Sequence, residues 1–425
     1  MAKSIEERIK AAVEAKREES IKFLSDLIKI PSHIGEEREA QEFLAAKLKK
    51  MGLEVDMFCP NLEELKKHPA FSVSRKMAEF GHDYTNSPQV VGVQKGKGGG
   101  KSLLMNAHID LMPVGPRVMW ENDPLSGLVK DGKIYGRGVA DDKGGIAAQT
   151  MALAALQDAG IKLKGDLILE SVTEESSSNG TLSCLLRGYK ADAGICTEGT
   201  SNQIAPAQMG GIVYRVKTYG TSASVLRAGS GVSAVDQVFK LKNALANFFE
   251  FRRAQAHHDI INPDIVGGYV GNVYAGDWAN MFPMDAWMEG AMRYLPNEDA
   301  ETVRQQLVDY VAEYAKLDPS MQKYPPEVSF WQTWEAAEIP VDHPIVKTVQ
   351  QSYRTAFGRE GKIGGREGGT DTWIYTKYGN TPMLCYGPGA PDKMHVVNEW
   401  LELDEYMEVI HVLAQTMAAW CGVAE

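Results

Sequence analysis

The sequence predicts an α/β fold in which a layered domain is interrupted by a smaller inserted domain. Two patterns in the 425 residues support this prediction. Strands and helices alternate over residues 53–196, as is typical of a layered α/β domain, whereas residues 211–331 follow the order β-α-β-β-α-β of ferredoxin-like domains. We therefore place the first part of the larger domain at 1–208, the inserted domain at 209–332 and the second part of the larger domain at 333–425.

The elements of the larger domain follow from apolar periodicity and from glycine and proline breaks. Its first part is predicted to contain two helices within 1–53, strands at 53–58, 89–94, 102–109, 166–172 and 193–196, and helices at 144–159 and 181–186. Residues 60–87 are polar and predict a long loop with a short helix. The glycine-rich stretch 95–101 lies between two β-rich runs and predicts that they form a hairpin.

The inserted domain and the end of the chain show the same two periodicities. The inserted domain is predicted to contain strands at 211–219, 266–275, 286–294 and 327–331 and helices at 232–251 and 299–317. A helix at 343–357, a strand at 383–386 and a helix at 404–420 then complete the larger domain.

The composition excludes several classes of partner. With 45 basic and 56 acidic residues the net charge is −11, so a nucleic acid or an anionic membrane surface would be repelled. No apolar run reaches the roughly 18 residues of a transmembrane helix, and the first residues lack the apolar stretch of a signal peptide. The five scattered cysteines form no Cys-x-x-Cys pair, which favours reduced thiols in a cytoplasmic protein.

His108 and Asp110 form the first pattern that suggests chemistry. They lie two residues apart at the end of an apolar strand, so their side chains share one face. A histidine with a nearby carboxylate suits a metal ligand and the group that orients its imidazole. The alternative is an exposed histidine at a strand end.

Further acidic and histidine residues follow strand ends and turns. Asp141 lies in a glycine-rich turn before a helix, where it can cap the helix or bridge two cations. Glu174 and Glu175 follow an apolar strand, so they are either a solvated strand end or a metal ligand with a general base. Glu198 ends another short apolar strand, and His395 follows a Gly-Pro-Gly turn.

Taken together, these positions predict a metal site. Five His, Asp and Glu side chains lie at strand ends or turns of one α/β domain, where ligands bind beyond the carboxyl ends of strands. Two imidazoles and three carboxylates suit a pair of divalent ions such as zinc, cobalt or manganese.

The order of these motifs resembles the M20 family of metal-dependent amidohydrolases and peptidases, which includes acetylornithine deacetylase, succinyl-diaminopimelate desuccinylase and aminoacylase. The shared pattern is His-x-Asp, Gly-Arg-Gly-x-x-Asp-x-Lys-Gly-Gly, Glu-Glu, Glu, and a late His before x-x-Asn-Glu. The resemblance implies that His108 and Glu198 bind one metal ion, that Glu175 and His395 bind a second, and that Asp141 bridges both.

The resemblance also implies the remaining roles in the site. Glu174 would be the general base, and Asp110 would orient His108. The inserted domain would be a lid that forms a homodimer. In this lid, Asn280 matches an Asn-x-x-Pro motif, and Arg293 matches an arginine that binds a substrate carboxylate.

One position of the lid departs from the family pattern. The family motif Gly-x-x-Ala-His reads Gly-Thr-Ser-Ala-Ser here, so Ser224 stands where a histidine normally polarises the scissile carbonyl. Loss of one oxyanion donor costs about 3 to 4 kcal/mol of transition-state stabilisation. We therefore expect Ser224 on the substrate side of the site, with either another group in place of the histidine or a different reaction.

The sequence thus predicts a metal-dependent hydrolase that cleaves a C–N bond with metal-activated water, using one or two zinc, manganese or cobalt ions per subunit. The default substrate is an N-acyl amino acid or small peptide with a free carboxylate. Two alternatives stay open: an aminohydrolase that releases ammonia from an amino-substituted aromatic carboxylic acid, and an inactive metal-binding dimeric scaffold. No nucleic-acid or membrane partner is expected.

Overall fold

The chain forms two compact units in a computed structural model that describes residues 3–223, 229, 231–276 and 278–424. The smaller unit is inserted in the chain of the larger one, and both mix helices with sheet. The larger unit comprises Met1–Ala207, Ala337–Arg366 and Thr370–Glu425, and the smaller comprises Gln208–Ala336 and Glu367–Gly369. The strand Glu327–Trp334 continues past residue 332, where the sequence places the end of the insertion.

A nine-stranded mixed sheet organises the described part of the larger unit. Its strands run in the order Glu54–Phe58, Gln89–Gln94, Leu167–Val172, Leu103–His108, Ala193–Cys196, Met383–Cys385, Ile204–Gln208 and Ala337–Glu338, with Ile363–Arg366 paired to Ile204–Gln208. The four strands from Leu167–Val172 to Met383–Cys385 are parallel neighbours. Their carboxyl ends therefore meet at one edge of the sheet.

The predicted hairpin of residues 89–94 and 102–109 is wrong. The strand Leu167–Val172 lies between Gln89–Gln94, to which it is antiparallel, and Leu103–His108, to which it is parallel. All six residues of this strand are buried. Its position inside the sheet lets the backbone groups on both of its sides form hydrogen bonds with neighbouring strands. The glycine-rich connection contacts the residues just before this strand, where Gly96 donates its backbone N–H to Asp166 at 2.8 Å.

Helices cover the sheet of the larger unit, and the helix Lys143–Asp158 is buried along almost its whole length. It packs against Arg17–Ile28 and Leu403–Cys421 in a continuous apolar core. The helices are Ile5–Ala15, Arg17–Ile28, Arg38–Lys50, Leu62–Leu65, Arg75–Phe80, Lys143–Asp158, Asn179–Leu186, Pro344–Phe357, Thr372–Ile374 and Leu403–Cys421. Short strands at Leu128–Lys130, Lys133–Tyr135 and Trp400–Glu402 form a second sheet, and Lys162–Leu163 pairs with Val423–Ala424.

The smaller unit has the predicted β-α-β-β-α-β order. Its antiparallel sheet runs Gly267–Ala275, Asp285–Tyr294, Gly210–Tyr219 and Glu327–Trp334. Its helices are Ala234–Gln255, Ala300–Ala315 and Pro319–Lys323. Alternate residues of Asp285–Tyr294 are buried, so one face of the sheet supplies the core with the helices.

The expectations of no transmembrane helix and of reduced cysteine thiols concern the whole chain and can be compared with the described residues. Among them, no helix combines the length and the apolar character that a membrane crossing would need. Their five cysteines are all free thiols, of which only Cys59 is exposed.

Candidate active site

The predicted site residues of the larger unit lie at the carboxyl edge of its parallel strands. His108 is the last residue of its strand and is in register with Val172 of the neighbouring strand, which Glu174 and Glu175 follow. Glu198 follows the next strand, Ala193–Cys196. Because these strands are parallel, residues far apart in sequence share one edge of the sheet.

Asp141 is the point at which two imidazoles meet. Its Oδ1 lies 3.1 Å from Nε2 of His108, and its Oδ2 lies 2.6 Å from Nε2 of His395. Burial would raise the pKa of Asp141, but the two imidazoles hold it well below its usual range. Each carboxylate oxygen of Asp141 therefore faces its own imidazole.

The second ring nitrogen fixes the orientation of His108. Nδ1 lies 3.1 Å from the backbone carbonyl of Asp110 and 3.5 Å from its Oδ1, so it is placed to donate, which leaves Nε2 directed at Asp141. Burial lowers the pKa of His108, yet the carboxylates of Asp110 and Asp141 raise it well above its ordinary value. Asp110 also accepts the backbone N–H of Glu175 at 3.3 Å, which ties two strand ends together.

Glu198 forms a buried ion pair that sequence reasoning missed. Its Oε2 accepts a hydrogen bond from Nη2 of Arg366 at 2.8 Å, and the side chains are 3% and 7% exposed. Arg366 also donates from Nη1 to the backbone carbonyl of Gly199. Burial raises the pKa of Glu198, while the guanidinium opposes this effect.

The predicted donor set of the larger unit consists of imidazoles and carboxylates, which is a chemistry suited to divalent ions. Imidazole and carboxylate are the ligands that zinc, cobalt and manganese accept, and Asp141 offers one oxygen to each side. In the part of the chain that the structure describes, no three His, Cys, Asp or Glu side chains are drawn into one metal-binding cluster. The contacts between the predicted ligands are pairwise and run through Asp141.

Glu174 is completely buried and adopts left-handed backbone geometry, with φ 58°, directly after its strand. The hydroxyl of Ser74 donates to its Oε1, and the hydroxyl of Tyr84 donates to its Oε2. Burial raises the pKa of Glu174, and these hydroxyl donors counteract the rise. Both donors lie within residues 60–87, for which the sequence predicts only a loop with a short helix.

A second buried ion pair joins two of the sequence motifs. Nη1 of Arg137 donates to Oε2 of Glu399 at 2.7 Å, and Oε1 of Glu399 accepts the backbone N–H of Ala140 at 2.9 Å. Burial, with nearby Asp141, raises the pKa of Glu399 to about 7. The pair attaches the turn that precedes Asp141 to the chain that follows His395.

The other predicted site residues belong to the smaller unit. Arg293 lies on the strand Asp285–Tyr294, and its Nη1 donates to the backbone carbonyl of Glu367 at 2.5 Å. Asn280 is exposed in a turn. Ser224 lies outside the described residues.

Comparison with known proteins decides the family. Residues 104–419 match Peptidase family M20/M25/M40. The chain belongs to this family. The resemblance seen in the motifs is thereby confirmed, and the chain is a hydrolase of C–N bonds with the mixed α/β fold and inserted domain of M20 enzymes.

Relatives of this M20 chain include an enzyme and several solved structures. N-formyl-4-amino-5-aminomethyl-2-methylpyrimidine deformylase of Halalkalibacterium halodurans is 28% identical, with 98% of each chain covered. The structure of the dipeptidase Dug1p of Saccharomyces cerevisiae matches with a TM-score of 0.75 at 14% identity, over 98% of each chain. YXEP of Bacillus subtilis, described as a dinuclear metal binding peptidase from the M20 family, matches with a TM-score of 0.63 at 15% identity, over 95% of this chain and 98% of that one.

Proposed function

We propose that this M20 chain hydrolyses the C–N bond of a small N-acyl compound, with divalent metal ions as cofactors. The observation that carries the proposal is the Asp141 carboxylate, whose two oxygens contact the imidazoles of His108 and His395. The buried Glu174 follows the strand next to the one that His108 ends. The relative from Halalkalibacterium is named for removing a formyl group from an amine, which supports an N-acyl substrate. The description of YXEP as dinuclear supports two ions.

The metal ligands would be His108 and Glu198 on one side, Glu175 and His395 on the other, and Asp141 between them. Zinc, manganese or cobalt bound there would supply Lewis-acid polarisation of the substrate and of water. Asp110 would hold the His108 imidazole in the tautomer that leaves Nε2 free for the metal.

Glu174 would move the protons of the reaction. As the water oxygen forms its bond to the acyl carbon, a carboxylate oxygen of Glu174 accepts the water proton. The same carboxyl then gives this proton to the departing nitrogen as the C–N bond breaks, so the products are a carboxylic acid and an amine. The burial of Glu174 keeps bulk water away from this transfer.

The smaller unit would provide substrate contacts. A guanidinium suits a carboxylate because it donates two parallel hydrogen bonds, so we assign carboxylate binding to Arg293. Asn280 and Ser224 complete the proposed contacts of this unit. Ser224, unlike a histidine, would donate only a neutral hydroxyl hydrogen bond.

The test uses protein stripped of metal and reloaded separately with zinc, cobalt or manganese. A panel of N-formyl and N-acetyl amines, N-acyl amino acids and dipeptides is offered, and new primary amine is measured. We expect turnover with at least one metal and its loss in Glu174→Gln, with the bound metal content unchanged. Turnover that survives Glu174→Gln would refute the assigned base.

A second candidate reaction is hydrolytic deamination of an amino-substituted aromatic carboxylic acid. Ser224 favours it, because the usual histidine donor for a carbonyl oxyanion is missing from the sequence. Ammonia in place of a new amine would identify this reaction, so aminobenzoic acids are included in the same panel. Absence of both products from metal-loaded protein would exclude both reactions for these substrates.

We also propose that the smaller unit forms a homodimer. Its edge strand Gly267–Ala275 exposes Tyr269, Val273 and Tyr274, and the backbone of such an edge can pair with a second chain. Light scattering coupled to size exclusion should give twice the mass of one chain. A monomer at micromolar concentration would contradict the proposal.

A further inference from the structure

Each oxygen of the Glu174 carboxylate accepts a hydrogen bond from the hydroxyl group of a residue outside the predicted metal-binding motifs. Oε1 accepts from Ser74 and Oε2 accepts from Tyr84, and all three side chains are buried. We propose that Ser74 and Tyr84 are positioning residues that hold this carboxylate in the orientation in which it accepts the proton of water. The proposal rests on the proposed function, in which Glu174 is the general base.

The direction of the Tyr84 hydroxyl proton is set by its own neighbour. Nδ2 of Asn179 donates to the Tyr84 oxygen at 2.8 Å, so the phenol proton is directed to Glu174. The same amide nitrogen donates to the backbone carbonyl of Ser72 at 2.8 Å, which fixes the amide. The Tyr84 backbone is left-handed, with φ 65°, an uncommon geometry for a bulky residue outside glycine-rich turns.

The Ser74 hydroxyl is directed in the same way. Its oxygen accepts the backbone N–H of Met77 at 3.2 Å as the N-cap of the helix Arg75–Phe80, so its proton is available to Glu174. This short helix places Ser74 at one end, while Tyr84 follows the other end. The segment 72–84 thus contains two hydroxyl groups whose protons both point to the Glu174 carboxylate.

Two donors restrain the carboxylate without blocking it. The two carboxylate oxygens of Glu174 have four lone pairs between them. Ser74 and Tyr84 use two of these, and Ser177 supplies a further side-chain hydrogen bond, so one lone pair is left for the water proton. A glutamate side chain otherwise rotates about three bonds, and proton transfer needs heavy atoms about 2.6 to 3.2 Å apart in a defined orientation. Losing either donor should therefore slow the chemical step more than it weakens substrate binding.

The experiment compares four variants of the full chain, each loaded with the metal that supports turnover. Tyr84→Phe and Ser74→Ala each remove one hydroxyl, and Ser74→Thr retains it together with the helix cap. Tyr386→Phe is the matched control, because Tyr386 is fully buried and its hydroxyl has no hydrogen-bond partner within the described residues.

We expect kcat to fall about tenfold or more in Tyr84→Phe and Ser74→Ala, with KM within about threefold of the original. Ser74→Thr should restore most of kcat, and Tyr386→Phe should leave it unchanged. In a Glu174→Gln background, Tyr84→Phe should cause no further loss of residual turnover, because its effect acts through Glu174.

A readout independent of turnover uses metal-free protein. The melting-temperature shifts of Tyr84→Phe and Glu174→Gln should not add in the double variant, since the two groups are in direct contact. Additive shifts, or a wild-type kcat in both Tyr84→Phe and Ser74→Ala, would overturn the proposal. If Tyr84→Phe fails to fold, the comparison of Ser74→Ala with Ser74→Thr decides.

The two proposals fail in different ways. Undiminished turnover in Glu174→Gln would remove the base itself and with it the proposed function. Loss of turnover in Glu174→Gln together with full activity in both hydroxyl-deleted variants would leave the proposed function intact and reject only the positioning role.

Discussion

Replacing Arg366 with methionine tests how strongly the buried ion pair with Glu198 stabilises the larger unit. The guanidinium donates to Glu198 at 2.8 Å and also to the carbonyl of Gly199, and both charged side chains are less than a tenth exposed. Methionine is a flexible apolar side chain without charge, so the buried Glu198 carboxylate would lose the cation that contacts it directly.

The size of the expected loss in unfolding free energy depends on the burial of the ion pair and not on the distance between its charged atoms. Removing one partner of a buried pair costs about 3 to 5 kcal/mol of unfolding free energy, whereas an exposed pair contributes about 0 to 1 kcal/mol. The chain offers a matched control, because Arg17 contacts Asp404 at 2.6 Å with side chains that are 40% and 93% exposed. We therefore expect Arg366→Met to be far more damaging than Arg17→Met.

The assay is unfolding of metal-free protein in urea at neutral pH, followed by the same series with zinc or manganese. If Glu198 is a metal ligand, the cation replaces the missing guanidinium charge, so metal should raise the stability of Arg366→Met more than that of the original chain. Equal losses in the two variants would refute the argument from burial. Equal stabilisation by metal would refute the assignment of Glu198 as a ligand.

Three further predictions concern the interior of the larger unit, the proposed metal site and the proposed dimer. Burial raises the pKa of Glu170 to about 8, so the cost of its ionisation to folding grows from about pH 4.5 to pH 8. The unfolding free energy of metal-free Glu170→Gln, taken relative to the original chain, should therefore rise over this range by about 5 kcal/mol in all, and calorimetry showing a pH-independent difference would contradict this. Asp110→Asn should weaken metal binding about 10- to 100-fold in competition with a chromophoric chelator, because His108 loses the carboxylate beside Nδ1; unchanged affinity would remove Asp110 from that role. Val273→Lys places a charge on the exposed edge strand and should shift the proposed dimer toward monomer in light scattering, with turnover per folded chain as a control for misfolding.

Much of the candidate site could be predicted because its signals are local. His108 ends an apolar run, and Glu174, Glu175 and Glu198 follow two others. Each of these runs predicts a buried strand, and parallel strands bring such ends together. Asp141 is recognisable from the glycines around it. The β-α-β-β-α-β order of the inserted unit could be predicted for the same reason, because apolar residues recur in each element with the period of a strand or a helix.

The residues that support the site could not be predicted, because their partners are far away in sequence. Ser74 and Tyr84 lie 100 and 90 residues from Glu174, and Arg366 lies 168 residues from Glu198. Ser74 and Tyr84 occur in a stretch that is predicted as a loop with a short helix, and no element is predicted around Arg366. The hairpin error has the same origin, because the strand that separates the two β-rich runs comes about 60 residues later in the chain.

The position of the strand Met383–Cys385 has a consequence for synthesis on the ribosome. It lies inside the sheet, between Ala193–Cys196 and Ile204–Gln208, yet it is translated long after both of these strands. Until it emerges, the buried strand Ala193–Cys196 has an unpaired edge, whereas most of the smaller unit, Gln208–Ala336, has already been made. Residues 197–382 are therefore translated while the edge of Ala193–Cys196 that Met383–Cys385 will occupy is still unpaired, and this is the period in which chaperone binding would matter most.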